Sequence, residues 1–205
     1  MSHSPSARHA PAVHHPFQAS PVPAQLPLQI RAATPADMLA IQIIYAHHVE
    51  TGRASFEEVA PSLAEMAARH AEIVRRGLPY LVAQAHGEIL GYAYASAYRP
   101  RRAYRYTVED SVYIAEAWRG HGLGRALLEA LIAQCEAGPW RQMLAVVACP
   151  DDGSGEASLA LHEKLGFRRI GAIQAAGYKF DSWIDTMLLQ RTLGPGSTTA
   201  PQPAE

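Results

Sequence analysis

The chain has 205 residues, with 18 Lys or Arg against 19 Asp or Glu, so its formal net charge is −1. This length suits one domain with terminal extensions, and the near-neutral charge gives no electrostatic reason to expect a nucleic-acid partner. No apolar run reaches the roughly 18 residues of a membrane-spanning helix. Cys135 and Cys149 are too few for a disulfide framework or a zinc cluster. We therefore expect free thiols, no metal and a cytoplasmic location.

Proline marks both ends of the chain. Six of the 15 prolines lie in residues 1–27, a His-rich segment without an acidic residue, and three more follow Gly194. Segments of this composition bury too little apolar surface to offset the entropy of ordering. The sequence therefore predicts a disordered leader over 1–27, a single domain over 28–193 and a disordered tail over 194–205.

Helix and strand patterns alternate through the domain. The strands are predicted at 28–32, 80–85, 89–96, 106–114, 143–149, 167–173 and 183–189. Thr34 and Ser62 mark the starts of two early helices, and two more are predicted at 122–136 and 156–165. The order β-α-α-β-β-β-α-β-α-β-β predicts a mixed α/β (α+β) fold, with a central mixed sheet and helices on both faces.

The sharpest motif is the glycine-rich turn RGHGLG from Arg119 to Gly124, between a predicted strand and a helix. Glycines there let backbone N–H groups converge on an anion, and the helix N-terminus adds about half a positive charge. The spacing is not the G-x-G-x-x-G of a dinucleotide fold, and Arg125 stands where a P-loop has Lys. A phosphate-binding turn and a plain tight turn are the remaining interpretations.

Arg119, Gly122 and Gly124 fit the pattern Arg/Gln-x-x-Gly-x-Gly, which resembles the pyrophosphate-binding signature of the GNAT superfamily of N-acetyltransferases. The segments 106–113, 158–167 and 175–185 resemble, more specifically, its phosphinothricin and methionine sulfoximine N-acetyltransferase branch. The resemblance covers nearly all of residues 29–192. It implies a homodimeric enzyme of amino-acid detoxification, which uses acetyl-CoA to acetylate the α-amino group of a small glutamate-like amino acid.

The resemblance also implies which residues hold acetyl-CoA. The glycine turn receives the pyrophosphate, backbone N–H groups of the preceding strand meet the oxyanion of the tetrahedral intermediate, and a serine lies beside the CoA arm. These residues are Val112, Tyr113, Ile114, Arg119, Gly120, His121, Gly122, Leu123, Gly124, Arg125 and Ser158. Gly155 departs from the family, which usually has Asn there to hold the CoA arm. We expect weaker acetyl-CoA binding unless Asp152 or Ser154 substitutes.

Acetyl transfer requires a base, because an amine with a pKa near 10 is mostly protonated at neutral pH. Glu109 lies on the strand before the glycine turn and is the candidate base; an ion pair with Arg105 or a neighbouring arginine is the alternative. His162 matches the place where relatives have Tyr or His near the CoA thiol. It is either a general acid or a hydrogen-bonded structural histidine.

Four arginines crowd the seven residues 99–105, just before the candidate base. Arginine binds carboxylates and phosphinates bidentately, whereas a solvated loop and an RNA-binding patch are the alternatives. Arg99 and Arg101 match basic positions of the resembled family, so we expect them to bind the substrate. Lys179 and Trp183 are expected to close the pocket across a dimer interface, and Phe56 either packs on the substrate or belongs to the core.

Two other functions remain open. The same fold can acetylate another amine, such as a protein N-terminus. A catalytically silent acyl-CoA-binding protein is the alternative from another class, with Gly155 as a first sign of decay. Glu109 and the arginine cluster argue against silence, because a silent binder needs neither.

Overall fold

The computed structural model describes residues 28–201, so the predicted leader over 1–27 and residues 202–205 lie outside the described residues. Within this range seven strands form one sheet in the order β1-β2-β3-β4-β5-β7-β6. The strands are β1 Gln29–Ala32, β2 Tyr80–Ala85, β3 Glu88–Ala97, β4 Thr107–Ile114, β5 Gln142–Cys149, β6 Arg168–Lys179 and β7 Ser182–Thr192. The helices are α1 Met38–Thr51, α2 Leu63–Arg75, α3 Leu123–Ala137 and α4 Glu156–Lys164. The predicted order of helices and strands is confirmed.

The first crossover is fixed by a carboxylate at the entry to α1. Asp37 accepts bonds from both terminal nitrogens of Arg31, each at 2.7 Å, and from the backbone N and hydroxyl of Thr34 at 2.7 and 2.8 Å. The bonds from Arg31, supported by those from Thr34, hold the pKa of Asp37 far below its usual value. The carboxylate therefore ties the end of β1 to the start of α1.

Helices cover both faces of the sheet, as predicted. Helices α1 and α2 pack on one face, against Tyr80, Val82 and Tyr92. Helices α3 and α4 pack on the other face, where Leu127 and Leu159 meet small and branched residues of the central strands. Successive residues of a strand point to opposite faces, so each central strand contributes to both layers of the core.

Strands β4 and β5 are the one parallel pair among the described strands, and they stay together over only three register pairs. The last pair joins Glu109 to Leu144, although β4 runs on to Ile114 and β5 to Cys149. Beyond this point β4 continues alongside β3, and β5 alongside β7. The separation leaves a wedge-shaped opening within the sheet, which we call the β4–β5 gap.

The chain end after β7 contacts the domain. Residues 194–199 form turns and bends, where the sequence predicts the start of a disordered tail. Arg141 donates to the hydroxyl of Thr199 at 3.3 Å and to the carbonyl oxygen of Ala200 at 3.4 Å. Within residues 28–201, no helix is long and apolar enough to cross a membrane.

Candidate active site

The edge of β4 that faces the gap carries backbone groups directed away from β3. Antiparallel strands exchange backbone bonds at every second residue. Because Tyr98 N donates to Thr107 O at 3.3 Å, the odd-numbered residues of β4 direct their backbone N–H and C=O groups towards β3. Val112 and Ile114 therefore direct their N–H groups into the gap. Tyr113 directs its N–H to β3, which differs from the prediction that its amide also faces the cofactor.

The side chain of Tyr113 packs beneath α1. Its ring lies 5.0 Å from that of Tyr45, 5.4 Å from His48 and 5.3 Å from Tyr92, between ring centroids. Tyr113 thus joins α1 to the sheet at the gap and contributes packing rather than a hydrogen-bond donor.

His48 lies over the same end of β4, and the sequence analysis does not single it out. Its Nε2 lies 2.8 Å from the carbonyl oxygen of Ile114. A carbonyl only accepts, so Nε2 carries the proton. Burial lowers the pKa of His48 and favours the neutral ring. The available signal was its spacing of three residues from the buried Tyr45, which places both on one face of α1.

The glycine turn has the backbone conformation that an anion site needs. Gly120 and Gly122 adopt φ values of 79° and 82°, which L-residues rarely adopt. No atom lies within 4 Å of where a Cβ would stand at either glycine, so the space in front of the turn is open. The first α3 bond runs from Ala126 N to Gly122 O at 3.1 Å. The N–H groups just ahead of Ala126 therefore have no helical acceptor and point towards the opening.

The side chains of the turn are held by neighbours. Arg119 forms an ion pair with Glu116 at 3.0 Å, and His121 Nδ1 lies 2.9 Å from the carbonyl oxygen of Arg119. Arg125 pairs with Glu129 at 2.8 Å along the exposed side of α3. The backbone N–H groups of Leu123 and Gly124, rather than these side chains, are therefore the donors of the turn that an anion could use.

Helix α4 supports the turn from below. A Cβ at Gly124 would lie 3.4 Å from Cδ2 of Leu161, so the start of α3 rests directly on α4. Ser158 is half-buried in the first turn of α4, and its N–H donates to Gly155 O at 3.1 Å. Ser158 is thus at the end of the gap, where the prediction places the CoA arm.

A cavity of about 370 Å³ lies at the mouth of the gap, beside the glycine turn. Arg53 reaches across it and forms an ion pair with Asp152 at 3.0 Å, which joins the chain after α1 to the chain after β5. The residues that line the cavity are His47, His48, Thr51, Gly52, Arg53, Glu116, Arg119, Asp152 and Ser154.

Glu109 lies where the gap begins, on the face covered by α1 and α2. Burial, and then the charge of Asp110, raise the pKa of Glu109 above its ordinary value. No Lys, Arg or His between residues 28 and 201 forms an ion pair with this carboxylate. Arg105 instead lies 4.3 Å from the ring centroid of Tyr106 and donates to the carbonyl of Arg102 at 3.1 Å. Glu109 and Arg105 therefore do not form the ion pair that was the alternative to a catalytic base.

A second cavity, of about 290 Å³, lies beside Glu109 under α2. Ser96 is the register partner of Glu109, and the rings of Tyr80, Tyr92 and Tyr94 stack nearly parallel along its floor. The sequence analysis does not predict this cavity, although two tyrosines two residues apart on one strand share a face. The lining residues are Tyr45, Met66, Arg69, Glu72, Ile73, Tyr80, Tyr92, Tyr94 and Ser96.

The arginine cluster follows β3 directly after this cavity. Arg99 lies over the rings of Tyr98 and Tyr104, at 5.0 and 5.7 Å from their centroids, and Arg101 is exposed. Neither guanidinium has an acidic partner among residues 28–201. Both cations are therefore available to an anionic ligand.

Lys179 lies apart from this arrangement. It is 3% exposed, and its ammonium donates to the carbonyl oxygens of Val49 at 2.7 Å and Ser55 at 2.8 Å. Burial lowers its pKa. The structure therefore places Lys179 as a link between the end of β6 and the chain around α1, and not in the pocket, because the ammonium is buried and backbone carbonyls accept two of its three N–H groups.

Phe56 and Trp183 lie near the same end of β6. The ring of Phe56 is 42% exposed and packs over Gly177, where a Cβ would stand 3.1 Å from the ring. Trp183 is 65% exposed and contacts Tyr178 edge-on at 5.2 Å. Within one copy of the chain, Trp183 does not line either cavity.

His162 faces the side of the sheet opposite Glu109. It is 4% exposed, its Nε2 lies 3.0 Å from Oδ2 of Asp110, and its Nδ1 lies 2.7 Å from the carbonyl oxygen of Ser158. The described residues contain no group of three His, Cys, Asp or Glu that is placed to hold a metal ion.

Three features of this site suit an extended phosphate-bearing cofactor. They are the split between two parallel strands, the amides that point into the split, and the glycine turn at the start of a helix. The family model described as "Acetyltransferase (GNAT) domain" matches residues 30–188. The chain belongs to the GNAT acetyltransferase family. It is therefore an acetyltransferase, as the glycine turn predicts.

Relatives of this GNAT protein have closely related names. A phosphinothricin N-acetyltransferase of Alcaligenes faecalis is 55% identical over 173 residues, which cover 84% of this chain and 86% of the relative. An L-methionine sulfoximine/L-methionine sulfone acetyltransferase of Pseudomonas aeruginosa is 40% identical, over 81% of this chain and 95% of the relative. The resemblance to this branch of the superfamily is confirmed.

The solved structures agree with the fold. A phosphinothricin acetyltransferase from Sinorhizobium meliloti, in complex with acetyl-CoA, superposes with a TM-score of 0.82 at 45% identity, over 86% of this chain and 94% of that one. The mixed sheet and its helices are thus those of a GNAT acetyltransferase.

Proposed function

We propose that this GNAT protein acetylates the α-amino group of a small glutamate-like amino acid of the phosphinothricin, methionine sulfoximine or methionine sulfone type. The observation that carries the proposal is the carboxylate of Glu109 at the start of the gap, which has no ion-pair partner among the described residues. Arg99 and Arg101, which also lack an acidic partner there, lie in the segment that joins β3 to β4. The names of the relatives support this substrate class, since they act on such amino acids.

Acetyl-CoA is the acetyl donor, as in the related complex from Sinorhizobium meliloti. The N–H groups at the start of α3 would bind its pyrophosphate. The CoA arm would follow the cavity along β4, past Ser158, towards the point where β4 and β5 meet. This path brings the thioester beside Val112 and places it within reach of an amine at Glu109.

In the proposed reaction, Glu109 takes a proton from the substrate ammonium, directly or through a water molecule. The amine nitrogen then attacks the thioester carbonyl carbon, a C–N bond forms, and the C–S bond breaks as CoA leaves as a thiolate. The second proton of the nitrogen passes to this thiolate, directly or through water, which gives the neutral amide and CoA thiol. The N–H groups of Val112 and Ile114 stabilise the oxyanion between these steps. A carboxylate with a raised pKa is a better proton acceptor than an exposed one, which suits Glu109 to this role.

The arginines would orient the substrate. A guanidinium binds a carboxylate or phosphinate through two parallel N–H bonds, so Arg99 and Arg101 would fix the acidic groups and leave the amine near Glu109. The tyrosine-lined cavity beside Ser96 would take the remaining side chain. A protein N-terminus as acceptor would not need two free cations at this position.

The proposal includes a homodimer formed through β6. This strand is at the edge of the sheet, and apart from Gly177 and Lys179 all its residues are exposed. Ile170, Ile173 and Trp183 add large exposed apolar side chains to the same edge. An unprotected apolar edge strand readily pairs with another chain. A second copy there would cover Trp183.

The free thiols of Cys135 and Cys149 support a cytoplasmic location, which stays a prediction.

The function is tested with acetyl-CoA and a panel of acceptors: phosphinothricin, methionine sulfone, glutamate, an alanine-terminated peptide and spermidine. CoA release and the mass of the product are measured. We expect N-acetylated phosphinothricin or methionine sulfone to form fastest. Preferential acetylation of the peptide or of spermidine would refute the proposed substrate class, and no acetylation with bound acetyl-CoA would indicate a silent binder.

A further inference from the structure

A buried ion pair marks the point where β4 separates from β5. Glu109 forms the last register pair with β5, and the next residue is Asp110. Because side chains alternate along a strand, Asp110 points to the face covered by α3 and α4, opposite Glu109. There it meets His162 of α4, with 3.0 Å between Oδ2 and Nε2 and side-chain exposures of 2% and 5%.

The hydrogen bonds of His162 define its charge. Nδ1 lies 2.7 Å from the carbonyl oxygen of Ser158 and must donate to it, while Nε2 donates to Asp110. Burial alone would lower the pKa of His162, but the bond and charge of Asp110, together with the Ser158 carbonyl, raise it. Both N–H groups are therefore occupied, and Phe167 packs edge-on against the ring at 5.0 Å.

The second carboxylate oxygen, Oδ1 of Asp110, has no hydrogen-bond partner among the described residues. The positive charge of His162 therefore has to compensate the buried carboxylate of Asp110. Removing one member of a buried pair is much more costly than replacing both, because it leaves a charge without compensation.

We propose that the Asp110–His162 ion pair is a positioning element that braces the open end of the β4–β5 gap. It links β4 to α4 just beyond the last β4–β5 strand pair. Helix α4 carries Ser158 and supports the glycine turn through the contact of Leu161 with Gly124. The pair thereby holds the strand of the base and the two cofactor-binding segments at a fixed separation.

This role differs from general-acid catalysis by His162, the other interpretation of the sequence. A general acid gives its proton to the leaving thiolate and must reach it. A brace keeps both protons on its ring nitrogens throughout the reaction, donated to Asp110 and to the carbonyl oxygen of Ser158. The proposal rests on acetyl-CoA as the cofactor and does not depend on which amine is acetylated.

The test compares H162Q, D110N and the double variant D110N/H162Q with the unchanged protein. Acetyl-CoA affinity is measured by calorimetry without acceptor, and kcat and KM with the best acceptor of the panel. We expect H162Q to weaken acetyl-CoA binding about tenfold or more and to lower Tm, because Asp110 loses its partner. In the double variant the glutamine amide can donate to the asparagine oxygen. We expect acetyl-CoA affinity and kcat to return to within about threefold of the unchanged protein.

Lys164→Gln, an exposed change on the same helix, is the control and should alter neither constant. If the double variant binds acetyl-CoA normally but loses kcat by about a hundredfold, His162 is a general acid and the proposal is overturned. If it fails to regain acetyl-CoA affinity while remaining folded, the brace is also refuted. Failure of the unchanged protein to bind acetyl-CoA would instead refute the proposed function.

A measurement on the unchanged protein covers the case in which the variants do not fold. Nitrogen-15 NMR of the His162 ring at pH 6, with and without acetyl-CoA, reports which ring nitrogens carry protons. The brace requires protons on both nitrogens in both states, because the pKa of His162 is raised. A ring with one proton at pH 6 would overturn the proposal.

Discussion

A side chain at Gly155 would overlap the carbonyl oxygen of Ala148, because the turn that leads into α4 packs directly on the end of β5. Gly155 is buried in this contact. Asp152 structures the same turn, since it accepts a bond from Ser154 N at 2.8 Å and pairs with Arg53. The path of this loop therefore leaves no room for the Asn that the family usually has at this position.

Gly155→Asn should destabilise the protein without improving acetyl-CoA binding. The asparagine would push the loop away from Ala148, and overpacking of this kind costs about 1–3 kcal/mol of the free energy of unfolding. Thermal unfolding and acetyl-CoA calorimetry check both parts. Gly153→Asn is the matched control, because it makes the same change at an exposed neighbour where nothing lies within 4 Å of a Cβ, and asparagine tolerates the positive φ there. A gain in acetyl-CoA affinity with unchanged Tm would show instead that the loop has room for the asparagine and that Gly155 only removes a CoA-binding side chain.

Arg99→Leu and Arg101→Leu should raise KM for the amino acid far more than KM for acetyl-CoA. A charge-assisted bond of this kind contributes about 1.5–3 kcal/mol, which corresponds to roughly ten- to a hundredfold. Arg102→Leu removes an equal charge in the same exposed segment and is the control. Equal changes in both KM values would mean that the two arginines have a structural role.

Glu109→Gln should lower kcat by about a hundredfold or more and leave acetyl-CoA affinity nearly unchanged. The base must be ionised, so kcat of the unchanged protein should rise with pH through the raised pKa of Glu109. The variant should lack this rise. Glu88→Gln, an exposed change on β3, controls for the loss of charge. A variant that keeps both its rate and its pH profile would place the base elsewhere.

The same substitution should also change stability in a pH-dependent way. Burial raises the pKa of Glu109, so the folded state binds its proton more tightly than the unfolded state does, and ionisation lowers the free energy of unfolding. Stability from this group is present at low pH and is lost as pH rises through the folded pKa. Glu109→Gln should therefore raise Tm at pH 8 and not at pH 4. A lower Tm at pH 8 would contradict the assigned environment.

Lys179→Met should lower stability rather than substrate affinity. The change keeps the length of the stem but leaves the carbonyl oxygens of Val49 and Ser55 without their donor, at about 1–3 kcal/mol for each unsatisfied group. Denaturant unfolding measures the loss, and the exposed Lys164→Met is the control. Unchanged stability with a tenfold higher KM for the amino acid would restore Lys179 to the substrate pocket.

Local signals in the sequence predict the elements well. Ser62 accepts from Glu65 N at 3.2 Å, as its spacing indicates. His86 and Gly87 adopt φ values of 50° and 83°, which close the tight turn between the two strands predicted at 80–85 and 89–96. These features depend on residues within four positions of one another, so the pattern alone contains the information.

The parts of the site that the sequence did not predict depend on distant partners. His48 reaches Ile114 across 66 positions, and Lys179 reaches Val49 across 130. Nothing local to β4 indicates that it leaves β5 after Glu109, because the divergence follows from the pairing of β5 with β7. Similarly, β6 continues past its predicted end at residue 173 through irregular pairing around Ala175, whose φ is 47°.

We propose above all that the pocket beside Glu109 binds an amino acid through its acidic groups and acetylates its α-amine. The most direct measurement compares kcat/KM for L-methionine sulfone with that for 3-(methylsulfonyl)propylamine, which has the same amine and side chain but lacks the carboxylate. Because Arg99 and Arg101 are free to bind that carboxylate, we predict a preference of about tenfold or more for the amino acid. Equal kcat/KM values for the two amines would contradict the account.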